Sequence, residues 1–193
     1  TGAALAGSNY VVGALNLNGG SILGSVTIAS NAVLNWRDGV VGPAASLTVQ
    51  SNGVANLLTS AAKYLDGRMT NSGTVIWTGG TFNIRNNNSG YLGNVVNLGL
   101  WQMQGDLDLS QWFGNGLEIF NNKGTFRKSS GTGTSSITVT FQNQLGAVDV
   151  QSGLLSFNRP VTFAGGTVNF GISSNDFGRI SVSGAATLTG SIA

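Results

Sequence analysis

Apolar and polar residues alternate along this chain in short runs, and the runs recur. Each begins with Asn, passes through Gly or another small residue, and continues as an alternating strand. Copies start at Asn31, Asn52, Asn71, Asn97, Asn121 and Asn143, at successive spacings of 21, 19, 26, 24 and 22 residues. Such spacings lie at the short end of the roughly 20–50 residues typical of solenoids and repeat arrays.

Strand side chains alternate between two faces, so residues two and four places beyond the small residue share one face. The first of these positions holds Leu34, Ala55, Val75, Trp101, Phe126 and Val148. The second holds Trp36, Leu57, Trp77, Met103, Lys128 and Val150. Eleven of the twelve are apolar, as stacked coils sharing one core require; Lys128 is the exception and marks an irregularity or a strand end.

A second strand per coil is predicted at Ala14–Leu17, Thr81–Ile84, Asp106–Leu109 and Leu154–Phe157. Gly-rich corners at 19–20, 79–80, 105, 152–153 and 165–166 separate the strands, since Gly turns sharply through positive φ. The recurrent Asn residues have two structural uses. Asn tolerates the left-handed turn conformation, or its amides stack from coil to coil as a hydrogen-bonded ladder. The best helical candidate, 57–65, is only about two turns long, and 110–116 reads as a loop. The pattern therefore predicts an all-β, right-handed parallel β-helix with coils of 19–26 residues, occupying 1–193 as one repeat domain. A β-sandwich is the alternative, and a leucine-rich repeat is disfavoured because no Leu consensus is held from copy to copy.

Composition narrows the chemistry. Charged residues are 8% of the 193, Gly numbers 30 and Pro 2, and there is neither Cys nor His. Disulfides, thiolate chemistry and Cys-type zinc sites are excluded, as is the usual general base. The net charge of +2 is scattered, with Arg127-Lys128 the only adjacent basic pair, so no footprint for nucleic acid is present. No run approaches the roughly 18 apolar residues needed to cross a bilayer, and no membrane insertion is expected. The start at Thr1 shows no basic-then-apolar leader, so any secretion signal is expected to have been removed, and the strand-like end at Ala193 suggests a piece of a longer chain.

Three stretches, 120–128, 141–155 and 176–190, resemble the repetitive β-helical passengers of bacterial autotransporters, filamentous-haemagglutinin-like adhesins and related β-strand-repeat surface proteins. The resemblance implies an extracellular or cell-surface location and a role as stalk, adhesin segment or self-assembling fibre subunit. It carries over no catalytic residue and no cofactor.

A carbohydrate-binding or carbohydrate-cleaving β-helix is the second reading. Glycoside hydrolysis needs two carboxylates, and Asp106 and Asp108 are the best pair, two apart and facing solvent opposite Leu107 and Leu109. Calcium binding by that pair is left open, although the repeated acidic motif of calcium-binding β-rolls is lacking. Arg127, Lys128, Asp149 and Glu118 could meet across coils. Tyr91, Trp112 and Phe113 fall in loop-like sequence and are the candidates for sugar or partner contact. Trp36, Trp77 and Trp101 belong to the core. Self-association by end-to-end stacking, neighbouring repeats and surface glycans are the expected partners.

Overall fold

A computed structural model describes residues 3–174, 176–189 and 191–192; Thr1, Gly190 and Ala193, singled out above, lie outside them. The described residues are all-β without a helix, and form a parallel β-solenoid of about nine turns. All pairing between its strands is parallel, which excludes the antiparallel sandwich. Two isolated antiparallel bridges, Asn86 with Leu92 and Ile172 with Phe177, lie in connections.

Each turn from the third to the eighth has three strand positions rather than two. Face I stacks Ser8–Val11, Ser25–Ile28, Ser46–Val49, Arg68–Asn71, Asn94–Asn97, Ile119–Asn122, Thr140–Gln144, Val161–Ala164 and Ala186–Leu188. Face II continues through Val54–Leu57, Thr74–Trp77, Leu100–Gln104, Thr125–Ser130, Ala147–Val150 and Thr167–Phe170. Face III runs through Lys63–Leu65, Phe82–Ile84, Leu109–Gln111, Thr134–Ile137, Leu154–Phe157 and Arg179–Val182. In the first two turns faces II and III are one strand, Ala14–Ile22 and then Val33–Val41, with register shifts near Asn18. The strand Val33–Val41 pairs at once with Val54–Leu57 and Lys63–Leu65, so the sheet forks there.

The face II register runs Leu34, Ala55, Val75, Trp101, Phe126, Val148 and, two residues on, Trp36, Leu57, Trp77, Met103, Lys128, Val150. All twelve are fully buried. These are the two columns that alternation and the small-residue anchor predict. Lys128 sits beside a register shift, where Gln104 pairs with Ser130. Its buried ammonium donates to Gly105 O, Asp106 Oδ1 and Ser130 O at 3.2, 2.7 and 3.0 Å.

All three faces feed one aromatic column. Trp36 and Trp101 meet the edge of Phe82 at centroid distances of 5.7 and 5.3 Å, and the contacts pass through Phe120, Phe141 and Phe157 to Phe163. Burying side chains of this size contributes about 1.5–3 kcal/mol each, and edge-to-face contact adds about 0.5–1.5 kcal/mol per pair.

The short helix considered for 57–65 does not form. Leu57 ends one strand, Lys63–Leu65 form another, and bends join them. Burial of Leu57 and Leu65 on two different faces of the core needs extended backbone at both ends of the segment.

Candidate functional site

The recurrent Asn residues divide into three groups. Asn31 and Asn52 are exposed turn residues with φ of 63° and 61°. Asn71, Asn97 and Asn143 lie at matching places on face I, buried and pointing into the core. Asn121 points outward, and its neighbour Asn122 is the one in register with Asn97 and Asn143. Strand alternation forces this correction, because of two adjacent Asn only one can face the core. The ladder runs Asn71 Nδ2 to Asn97 Oδ1 (2.8 Å), Asn97 Nδ2 to Asn122 Oδ1 (2.8 Å) and Asn122 Nδ2 to Asn143 Oδ1 (2.6 Å). Asn71, Asn97 and Asn122 also donate to the first face II carbonyl of the next turn, those of Leu100, Thr125 and Ala147, and Asn143 donates to Gly146 O at its own corner. Buried amides are costly unless paired, and this pairing meets that cost coil by coil. A second, more exposed ladder joins Asn16, Asn35 and Asn56 on face II.

Asp106 and Asp108 precede the face III strand, which begins only at Leu109. Both are exposed, while Leu107 and Leu109 turn inward. Asp106 pairs with Lys128 and accepts the Gly133 N–H at 3.1 Å; Asp108 accepts the Ser136 N–H at 2.9 Å. The two carboxylates thus brace a corner against the next turn. Arg127 pairs with Asp149 at 2.7 Å, while Glu118 lies in a different connection. No three acidic side chains come together among the described residues.

The most individual part of the molecule is the corner between faces III and I. Two residues suffice for this connection in the third turn (66–67) and the sixth (138–139). The fourth turn uses nine, 85–93, and the fifth seven, 112–118. Insertions in adjacent repeats map to one face of a solenoid, commonly the one that binds. Both loops are internally tied. Asn87 Oδ1 accepts the N–H groups of Ser89, Gly90 and Tyr91 at 2.9–3.1 Å. Glu118 Oε1 accepts the Phe113 N–H at 2.7 Å, and Arg159 reaches from the seventh turn to Gln111 Oε1 (2.6 Å) and Gly114 O (3.1 Å). Asn115 Nδ2 donates to Asn86 O at 2.8 Å and joins loop to loop.

Together the loops gather Tyr91, Trp112 and Phe113 with Tyr64 of face III. Tyr64 meets Trp112 edge-on at 5.9 Å, and Tyr91 lies 5.5 Å from Phe113. Arg85 occupies the middle, its guanidinium carbon 4.7, 5.2 and 5.6 Å from the rings of Tyr64, Tyr91 and Trp112. Asp66 holds it in place through paired bonds of 2.5 and 2.7 Å. Trp112 remains 54% exposed and Phe113 41%. Loop-like sequence singles out three of these rings; Tyr64 carries no such signal because only coil stacking brings its strand beneath the loops, and Arg85 is a lone cation at the root of the first loop.

One further group is chemically unusual. Lys63 is fully buried, and its ammonium donates to the carbonyls of Leu58, Thr59, Ala61 and Gly79. Burial lowers its pKa from 10.5 to about 8, against an opposing pull from Asp38. It locks the irregular connection 58–62 and is not open to a substrate.

Compared with known proteins, the chain matches no family model, no curated protein and no solved structure.

Proposed function

We propose that this protein is a non-enzymatic structural and adhesive module, a rigid β-solenoid rod that serves as a stalk, adhesin segment or fibre subunit of a bacterial surface or secreted protein. The observation that carries this reading is where the polar side chains go. The Asn ladder and the Asp106 and Asp108 carboxylates bind the rod's own backbone and neighbouring turns. Polar groups committed to coil stacking favour a scaffold over a reaction centre. The resemblance to adhesin passengers and the low charge favour the extracellular surface.

Stacked turns also leave apolar groups at the two ends of the described stack, around Leu5 and Leu15 at one and Phe170 and Ile172 at the other. Such ends suit further turns of a parent chain or a second copy. Head-to-tail contact that does not close gives a filament.

Negative-stain electron microscopy across a concentration series tests the rod, with short rods or end-to-end filaments expected and compact particles counting against it. Incubation with a polysaccharide panel tests the rest: new reducing ends, lost on substituting Asp106 and Asp108 together, would overturn the non-enzymatic reading in favour of a carbohydrate-cleaving β-helix.

A further inference from the structure

We propose that the two-loop platform of Trp112, Phe113 and Tyr91 is a binding site for a neutral glycan, whose sugar ring stacks on the exposed face of Trp112. The proposal rests on the adhesive reading above and names what such a module would hold.

Three features select the ligand. First, a cluster of aromatic rings around a cation is the usual recognition device for ammonium ligands, but here Arg85 already fills the space between Tyr64, Tyr91 and Trp112, fixed by Asp66. An external cation has no place, and only the outward surfaces of Trp112 and Phe113 are open. Second, the charges in and under the platform cancel. Arg85 is matched by Asp66, and Arg159 and Glu118 bring one charge of each sign, both spent on holding the loop. Nothing there attracts an acidic or a basic partner. Third, the loop residues beside the rings are mostly amides, hydroxyls and glycines, Asn88, Ser89 and Gly90 at one loop tip and Gly114, Asn115 and Gly116 in the other, with Leu117 the one further exposed apolar side chain of the second loop. A pyranose offers what matches this surface, an apolar C–H face for the ring and a rim of hydroxyls for uncharged polar groups. An apolar protein partner would want a wider greasy patch than these rings provide.

The platform is also pre-formed. Asn115 joins the loops, Glu118 and Arg159 fix the backbone beside Phe113 and Gly114, and Tyr64 buttresses Trp112 from the sheet. Little ordering is then needed on binding, and rigid sites lose least affinity to entropy.

The arrangement of tryptophans gives a direct test. Trp36, Trp77 and Trp101 are fully buried, so Trp112 alone is open to an aqueous quencher. The intact chain is titrated with cello-, laminari-, malto-, manno- and chito-oligosaccharides while acrylamide quenching is followed. At least one series should protect Trp112, W112A should weaken that binding roughly tenfold or more, and W112F should retain part of it. A panel that gives no protection overturns the proposal, as does binding that W112A leaves unchanged. In the second case the protein is still an adhesive and only the assigned site is wrong. Protection of Trp112 by an apolar peptide and by none of the sugars would likewise overturn the glycan while leaving the adhesive reading standing. The circular dichroism of W112A, expected to match the parent, separates loss of binding from loss of fold.

Discussion

The fourth and fifth turns contain both the most regular and the least regular parts of this molecule. On one side Asn71 and Asn97 occupy equivalent rungs, followed two residues later by Gly73 and Gly99 at equivalent corners. On the other, the loops 85–93 and 112–118 share neither length nor sequence. The difference lies in what each residue must fit. A rung has the same residue above and below it, so its shape and polarity are dictated by its neighbours. A loop that leaves the stack must satisfy only its own backbone, which Asn87 and Asn115 do locally. The side chains at its surface, Trp112 and Phe113 among them, are then free for other work.

Gly-to-Ala substitutions should break this contrast most sharply. A Cβ added at Gly99 would stand 2.1 Å from the carbonyl oxygen of Gly73, whereas one added at Gly90 meets nothing within 4 Å. G99A should therefore cost about 3 kcal/mol or more, the upper range for overpacking, and G90A no more than about 0.5 kcal/mol. Equal effects in urea denaturation would mean that the corner does not rest on backbone contact.

Next come the rungs. N97L leaves Asn122 Oδ1 and Thr125 O without their donor and takes from Asn71 Nδ2 one of its two acceptors. A loss of about 2–3 kcal/mol is expected, in keeping with buried unsatisfied groups. N143L, at the last rung with one amide neighbour, should cost less, and N121L, on the outward face, least of all. An effect of N121L as large as that of N97L would contradict the register.

Lys63 tests a third kind of connection, in which a buried charge rather than a repeat holds the backbone. K63M should cost about 2 kcal/mol by orphaning carbonyls. It should also alter the pH dependence. With the folded pKa lowered from 10.5 to about 8, the unfolded chain holds more protons between those values, so stability rises with pH across that window and is flat in this respect below it. Unfolding curves at pH 7, 9 and 10.5 should show the rise in the parent and its disappearance in K63M. The smallest effect on stability belongs to W112A, within about 0.5 kcal/mol by thermal melt, because the ring caps a surface and not the core.

The sequence made some of this legible and hid the rest for physical reasons. Face II could be read residue by residue because its apolar alternation starts at a fixed distance from a small residue at the corner. Face I does not stand out as a separate strand because half its core positions are Asn rather than apolar, from Asn71 to Asn143. A sharper signal lay in the spacing: Asn71, Asn97 and Asn122 each precede a Gly by two residues, a rule that selects Asn122 over Asn121. The two strand positions inferred per coil became three for the same reason. At the platform, Trp112 and Phe113 stood out as aromatic residues in Gly-rich sequence, whereas Tyr64 belongs to a strand two turns away in the stack. No local pattern marks a contact that exists only once coils are superimposed.

The glycine corner has a mechanical meaning. From Gly53 through Gly73, Gly99, Gly124 and Gly146 to Gly166, one strip of the rod has backbone lying on backbone, and from Gly73 onward each added Cβ would come within 2.1–2.7 Å of the preceding glycine's carbonyl oxygen. That strip can hardly shorten under load. The other two corners make such backbone contacts only in places, as at Gly67, Gly93 and Gly153, and elsewhere are filled by loops and side chains that can give. A rod with one incompressible edge bends preferentially away from it, so the glycines act as a backbone in the vertebrate sense: they set the direction in which the shaft yields, and a single methyl group among them would work as a wedge that curves it.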